Sequence, residues 1–591
     1  MLTDPYLTTL VNICIVLLAT IGLLIYRYAF PKKKINLFFL LIIISIIPIL
    51  SLFREGTFNA GDLRVHTAQF MDFYYNIQEG NILPQWAGDL CGGYGCPVYE
   101  IEYILPYYLA SLFHFVGFSF LTSLKLVLAF SFIASGITMF VWAKEEFGEV
   151  SGFTAAIFYL FAPYHLIDLH FRASIGEVLS FVFIPLLFLF CKRLTETKKV
   201  KYFFLESLTV LCILLSHSST ALITIPLTIL YGIVIWLRVK NKNILLLLLP
   251  SFSVFYGILL STYYWLPALH DVQYTWWRFT TYGDFKPLWE YIYSPIAYGF
   301  LFQGHQGEYR LIIGYPQLLA IFVAIFLLFQ NKIDKKLKLF LIFLLVCFFF
   351  LFFMLLSESN FIWQHITILH TFITVWRLLV PISFITAAIA GIAIKNTSKP
   401  ILIILICYVT INSTILNWAN RKMVPQLTYP FITTDAIYTE YFEPGKPEFL
   451  TEFNKHLSEF DEIIANPPSQ PIQFLSGNGK FTQIKRTPIS HEYILQVTSN
   501  SVLRENTDYF PGWQVKANNI KIPINYEEKK NDSFGKITFE LNKGLYLIDI
   551  NFTDTVLRGF AKAVSIVSLT CGICFLLIIR IKNSKKEIYL K

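Results

Sequence analysis

Fifteen residues, Ile104 to Phe118 (ILPYYLASLFHFVGF), settle on which side of a membrane most of this chain lies. As a helix the segment would be about 22 Å long, against about 30 Å of hydrocarbon. It carries Pro106 and His114 and is rich in aromatics. That composition suits a helix lying in the interface or re-entering it, rather than one crossing it.

The rest of the chain shows why the choice matters. Of its 591 residues, 55% are hydrophobic and 15% charged, where a soluble domain carries about 25% charged residues. Mean hydropathy is +0.56. Apolar runs recur at 6–27, 35–53, 122–143, 150–165, 173–191, 202–217, 220–237, 243–263, 311–330, 337–356, 376–394, 400–418 and 559–580. Runs of this kind are membrane spans, and in lipid they must be helices, because no solvent there satisfies a bare backbone. The basic loops are PKKK (31–34), KRLTETKKVK (192–201), RVKNK (238–242), NKIDKKLK (331–338), KNTSK (395–399) and the tail RIKNSKK (580–586). Lys and Arg concentrate in cytoplasmic loops, so an even number of spans must separate any two of them. The count is even throughout if 104–118 does not cross, and odd between 34 and 192 if it does. The expectation is a mainly α, polytopic helical bundle of about 13 spans, N-terminus outside and C-terminus inside. The net charge of +9 sits mostly in these short loops and does not point to nucleic acid. The run at 6–27 has neither a basic leader nor a small-residue cleavage site and reads as a retained span.

Four polar regions then share the outer face: 54–121, 162–177, 264–310 and 419–558. The last changes character, with the alternating stretches YILQVTS, KITFEL and LYLIDINF, and with YFPGWQVKANNIKIPI reading as strand, Asn-Asn turn, strand. A small extracytoplasmic β-sandwich before the last span is expected. The division is 1–418 (membrane domain), 419–558 (β-rich domain) and 559–591 (final span and tail). Seven of nine cysteines lie in apolar runs and read as core residues. Cys91 and Cys96, in CGGYGC, would close as a disulfide if that loop faces an oxidising compartment.

The outer face carries the chemistry. In GDLRVH, Asp62 and His66 are four apart and share a helix face. A carboxylate beside an imidazole suits general-base work; an N-cap and a helix-stabilising pair are the plainer readings. Arg64 points elsewhere, toward lipid phosphate. In YHLIDLHFRASIGE, His165, Asp168, His170, Arg172 and Glu177 fall within thirteen positions, which beside a bilayer is costly unless they line a polar cavity. Asp168 with His165 or His170 could hold a divalent metal, though the spacing is no recognised metal signature. Arg172 suits a phosphate, with snorkelling to the interface as the alternative. His217 stands at a span's outer end, Arg278 among aromatics after His270 and Asp271, and Arg377 at the outer start of another span. Trp and Tyr in these loops form an interface belt or a sugar platform.

The residues 61–117 (GDLRVHTAQF…YLASLFHFVG), 143–177 (AKEEFGEV…FRASIGE) and YFPGWQVKANN…KGLYLIDINF resemble bacterial membrane proteins of the glycosyltransferase-C superfamily. The resemblance is to the 6-pyruvoyl-tetrahydropterin synthase-related group, with YfhO-like proteins next. It implies an acidic base or metal ligand in the first large outer loop, where Asp62 stands, followed by interfacial helices, where 104–118 stands. RASIGE lies where related enzymes carry a second polar motif. The first loop here has no Asp-x-Asp or Glu-x-Asp pair, and an extra span precedes it.

The expected function is transfer of a sugar from a polyprenyl-phosphate donor to a glycan, lipid or protein acceptor at the outer face of a bacterial or archaeal cytoplasmic membrane. Asp62 and His66 are the catalytic candidates. Arg64, His165, Asp168, His170, Arg172, Glu177, His217, Arg278 and Arg377 are the substrate- and phosphate-binding candidates. No cofactor beyond a divalent metal is indicated. A lipid or glycan transporter is the rival, but transporters show repeats and mid-membrane helix breaks that this sequence lacks. A non-catalytic envelope scaffold stays open.

Overall fold

A computed structural model describes residues 5–53, 60–91, 93–239, 242–275, 285–292, 311–330, 333–395, 401–402, 404–406, 408–409, 470–526 and 535–589. Its helices are α1 (Pro5–Ala29), α2 (Leu37–Ile49), α3 (Leu63–Gln78), α4 (Val98–Ile101), α5 (Leu105–Phe115), α6 (Phe120–Phe147), α7 (Glu149–Leu160), α8 (Pro163–Ile167), α9 (Ile175–Thr197), α10 (Val200–Ser216), α11 (Ser218–Arg238), α12 (Ile244–Leu260), α13 (Thr262–Asp271), α14 (Leu288–Ile292), α15 (Tyr315–Phe329), α16 (Lys335–Met354), α17 (Asn360–His365), α18 (Thr367–Phe372), α19 (Leu379–Ala393) and α20 (Val556–Tyr589). The chain divides into two compact units. One comprises 1–67, 105–254 and 281–433; the other comprises 68–104, 255–280 and 434–591. The division read from sequence, at 418, groups 68–104 and 255–280 with the membrane part instead.

The first unit is helical. Nearly every expected apolar run is a helix; most of 400–418 lies outside the described residues. Among the described residues six helices are long and apolar enough to cross a membrane, and up to eight if the bent pairs α7–α8 and α12–α13 each count as one. Three more apolar helices are shorter. α5 has eleven residues, about 16 Å, too short to cross, in keeping with the parity reading.

The centre of this unit is set by α6, α7, α9 and α19. Trp142 packs edge-on or tilted against Phe147, Phe188, Tyr231, Phe340 and Phe384, with ring centroids 4.8–6.4 Å away. Small residues let the helix backbones approach, the usual device inside a bilayer. A Cβ on Gly136 would meet Leu160, and one on Gly391 would meet the Ser151 carbonyl. One end of the bundle is tied by Glu146, buried on α6. It takes Tyr231 Oη at 2.6 Å, Arg238 Nη2 at 2.9 Å and Lys192 Nζ at 3.3 Å.

The second unit is built on two antiparallel sheets. Its strands are β1 (Ile472–Ser476), β2 (Gly479–Thr487), β3 (Ser490–Val497), β4 (Ser501–Asp508), β5 (Trp513–Ala517), β6 (Ile520–Ile522), β7 (Lys536–Leu541) and β8 (Gly544–Phe552). The orders are β1-β4-β7 and β2-β3-β8-β5-β6. The Asn-Asn turn falls where expected: Asn518 and Asn519 both take positive φ, 49° and 65°, as a two-residue type I′ hairpin requires. Residues 419–469 lie outside the described residues.

The core of the two sheets holds Tyr493, Leu503, Phe510, Trp513, Val515 and Ile548, and also Trp86 from the loop between α3 and α4, fully buried. Trp86 lies 5.6 Å from Trp513 and 6.0 Å from Phe510, ring to ring. Gly95 explains part of the CGGYGC motif: it has φ +77°, and a Cβ there would collide with the Trp86 indole. The Cys91–Cys96 disulfide closes that loop, with Cα atoms 6.1 Å apart. The Asp508 N–H donates to Tyr94 O at 2.8 Å. Upstream, buried Asp72 accepts from Tyr99 Oη at 2.8 Å, Asn76 Nδ2 at 3.0 Å and the Asp89 N–H at 2.9 Å. Burial, then the Asp89 carboxylate, push the Asp72 carboxyl up to about 8.

Arg558 closes this unit. It is fully buried near the start of α20. Its Nε donates to Glu100 at 3.1 Å, Nη1 to Pro511 O at 2.7 Å and Nη2 to Asp271 at 2.9 Å. Three separate segments thus meet on one guanidinium.

Candidate functional site

The two polar motifs singled out in the sequence meet in the first unit. The Gly61 N–H donates to Phe171 O at 2.7 Å, and the Asp62 N–H to Arg172 O at 2.8 Å. Asp62 directly precedes α3, and its carbonyl accepts from the His66 N–H at 2.9 Å. Asp62 therefore stands at the helix start, where a cap would stand, with its backbone tied to the second motif.

The second motif has an unusual local fold. Pro163 opens α8, and a turn of π-helix follows at Asp168–Arg172. Ala173 then takes φ +52° and α9 begins at Ile175. π-turns are rare and concentrate at functional sites, and a left-handed alanine costs on the order of 1 kcal/mol. A separate break upstream, between Leu160 and Pro163, bends α7 against α8 and the π-turn by 48°. The π-turn and Ala173 bring Asp168, Arg172 and Glu177 toward one another instead of spreading them around a regular helix.

Arg172 Nη1 donates to Asp168 Oδ1 at 2.6 Å, Glu177 Oε2 at 2.5 Å and Tyr164 Oη at 2.9 Å. Tyr164 Oη in turn donates to Glu177 Oε1 at 2.7 Å. His217 Nε2 lies 4.0 Å from Glu177 Oε2. The Thr220 N–H donates to His217 Nδ1 at 3.3 Å, so the ring proton belongs on Nε2, facing that carboxylate. Arg377 Nη1 donates to Ser219 Oγ at 2.9 Å, and Ser219 donates to Phe372 O. The Arg377 guanidinium is within electrostatic reach of both Asp168 and Glu177, and Asp62 is within reach of Arg172. His66, also buried, has Nδ1 3.0 Å from Tyr107 Oη.

The positions are systematic. Glu177 is in the first turn of α9, His217 caps α11, and Arg377 sits in the 3₁₀ turn Val375–Leu378 that leads into α19. Three apolar helices present their N-termini to the cluster, and helix N-termini favour negative charge. The cluster holds three carboxylates (Asp62, Asp168, Glu177) and two guanidiniums (Arg172, Arg377). It also keeps unused hydrogen-bonding capacity. Asp168 Oδ2 and Arg377 Nε are buried without partners, and all three Arg172 bonds use one nitrogen. Buried polar atoms of this kind are uncommon and call for a reason.

The other candidates fall differently. His165 stacks on Phe181, with centroids 3.9 Å apart and planes within 9°, and its Nδ1 meets Tyr159 O at 3.0 Å. It is an aromatic core residue and does not join the arginines. His170 is buried in the π-turn and Arg64 is half-buried on α3. Arg278 lies outside the described residues. Among the described residues no three His, Cys, Asp or Glu side chains are placed to hold a metal ion. Tyr107, Tyr164 and Ser219 belong to the cluster and carried no signal in the sequence, being hydroxyls within apolar or ordinary helical stretches.

Fold and site together define a polytopic membrane protein with a buried acid–arginine cluster. Residues 102–420, more than half of the chain, match the family described as 6-pyruvoyl-tetrahydropterin synthase related domain, a membrane protein, and the chain belongs to this family. A protein of Lactococcus lactis subsp. cremoris (strain MG1363) with no described function is 24% identical over 319 residues, 52% of this chain. The chain spans about half the length of that curated relative, 51%. Among solved structures, the arabinofuranosyltransferase AftD from Mycobacteria superposes with a TM-score of 0.41 at 13% identity, covering 66% of this chain and 29% of its own. The Archaeoglobus fulgidus oligosaccharyltransferase superposes with a TM-score of 0.40 at 12% identity, covering 74% and 59%.

Proposed function

We propose that the protein is an integral membrane glycosyltransferase that moves a sugar from a polyprenyl-phosphate donor to an acceptor at the outer face of the cytoplasmic membrane. The observation that carries this reading is the union of GDLRVH with FRASIGE, backbone to backbone, around buried carboxylates and two guanidiniums. The Cys91–Cys96 disulfide supports an oxidising side for the outer loop.

In this mechanism Asp62 takes the proton of the acceptor hydroxyl. The freed oxygen attacks the anomeric carbon, and the bond to the donor phosphate breaks with its electron pair on the phosphate. Arg172 and Arg377, helped by the helix N-termini, offset the charge that develops there. His66 supports Asp62, and Asp168 and Glu177 hold Arg172 in place.

Asp62→Asn separates a cap from a base, because Asn caps a helix as well as Asp does. The variant should accumulate normally in the membrane while loss of an envelope glycan in cells reports transfer reduced about 100-fold or more. His66→Ala should cost less. A well-expressed Asp62→Asn protein with full activity would overturn the catalytic role and leave the scaffold reading.

A further inference from the structure

A second candidate site lies at the other end of α2, about 20 Å along the helix from the Asp62 end. A cavity of about 530 Å³ opens between α1, α2 and α7 and also touches Leu402 and Ile406. This volume falls in the range of small-molecule sites. Its walls are apolar and include Val16, Leu23, Ile43, Ile47 and Phe153. Its rim is cationic: Arg27, Lys32, Lys33 and Lys34 all line it.

Among the described residues these charges find no acidic partner. Glu149, the acidic residue of the lining, is already paired with Lys144 at 2.7 Å. Arg27 Nη1 donates to Lys33 O at 3.1 Å, and the Lys33 ammonium sits over the Phe30 ring at 4.8 Å. Both are contacts that leave the positive charge uncompensated. Lys32 and Lys34 are exposed and make no ion pair among the described residues. Along α1, the wall from Val16 to the Arg27 rim covers about 16 Å, or half the thickness of a hydrocarbon core. An apolar slot one leaflet deep with a cationic mouth matches an acyl chain below a phosphate.

We propose that this cavity binds an anionic phospholipid, with an acyl chain between α1, α2 and α7 and its phosphate on the Arg27–Lys34 rim. The proposal does not depend on the glycosyltransferase reading. The assignment of 31–34 to the cytoplasmic side places the lipid in the inner leaflet, where basic segments next to a span attract anionic headgroups.

The test is native mass spectrometry of the full chain released from nanodiscs made with equal phosphatidylglycerol and phosphatidylcholine. The native protein should retain phosphatidylglycerol preferentially. Lys32→Ala/Lys33→Ala/Lys34→Ala, at exposed positions that folding does not need, should reduce that preference about 100-fold, at about five-fold per lysine. Ala19→Trp, which fills the slot and leaves the rim intact, should lose the retained lipid while keeping the rim's charge. Retention of both lipids alike by the native protein, or an unchanged preference in the triple variant, would overturn the proposal. So would retention of polyprenyl phosphate, added as a third component, in place of phosphatidylglycerol. Raising salt from 0.1 to 1 M on the native protein alone gives a check free of mutation: preference should fall as screening shortens from about 10 to about 3 Å.

Discussion

Arg172 and Arg558 are both buried, and both face two carboxylates, yet they are used in opposite ways. Arg558 spends each of its nitrogens on a different acceptor, and those acceptors come from residues 100, 271 and 511. Arg172 directs one nitrogen at three acceptors that all lie between residues 164 and 177. The first arrangement ties distant segments of a fold through every nitrogen of the guanidinium, and only Glu100 Oε2 beside it is left without a partner among these contacts. The second adds little to long-range connectivity and holds a guanidinium in one orientation. Beside it, Asp168 and Arg377 keep unpartnered atoms. An arginine whose every nitrogen reaches a different segment marks a joint, and one whose bonds all leave a single nitrogen, beside a second guanidinium, marks a place prepared for something else.

Removing Arg558 should have the largest effect. Arg558→Ala would leave Glu100 and Asp271 buried without their cation, and breaking a buried pair in this way costs about 3–5 kcal/mol. Thermal unfolding in detergent should drop accordingly, and Arg558→Lys should recover only part of the loss, since one ammonium cannot reach three diverging acceptors. Unfolding of Arg558→Ala within about 1 kcal/mol of native would break the distinction between the two arginines.

A third arginine sharpens it. In the sheets, Arg486 pairs with Glu505, which is fully buried and also lies 3.0 Å from His491 Nδ1. Burial alone would raise the Glu505 carboxyl, but Arg486 and then His491 outweigh it and hold it at about 2, below the ordinary 4.5. A depressed carboxylate stabilises the fold above its unfolded value and stops doing so as pH falls. The contribution of Glu505 to the stability of the second unit should therefore be constant above pH 4.5 and decline between 4.5 and about 2 by an amount on the order of 3 kcal/mol. Glu505→Gln should flatten that slope in a pH series of unfolding curves. An equal slope in the variant would assign the acid loss to other groups.

Arg377 should show the smallest effect on folding and a selective one on activity. It is half-buried and its Nη1 bonds to Ser219, so Arg377→Ala should cost about 0.5–1.5 kcal/mol of stability. Transfer, measured as envelope glycan formed per folded molecule, should fall about 100-fold. A loss of activity no larger than the loss of folded protein would place Arg377 with Arg558 as a structural residue.

Much of the bundle was legible because lipid leaves a helix no alternative, and hydropathy together with the placement of Lys and Arg carries that constraint. The shortness of α5 was legible in the length of its apolar run, Pro106 and His114, and the Asn518-Asn519 turn in the backbone those residues tolerate. The cluster was legible only in halves. Asp62 and Arg172 each stood out as charges beside apolar runs, but nothing local says that residue 61 will hydrogen-bond to residue 171. Tyr107 and Tyr164 were invisible because the chain has 33 tyrosines and most of them belong to aromatic packing. His165 was misleading for the converse reason: a histidine among charged neighbours looks like a ligand until Phe181 is found stacked on it.

Trp86 has a consequence for biogenesis. The strands that surround it begin about 390 positions later in the chain. At about 5–20 residues per second, the ribosome needs roughly 20–80 s to deliver those strands after the tryptophan has emerged. During that interval the loop between α3 and α4 waits with a large apolar ring uncovered, and the sandwich, once made, lacks its central side chain until the loop arrives. The nascent protein thus passes through a stage in which neither piece is complete, and holdase chaperones or proteases at the membrane surface meet it there first.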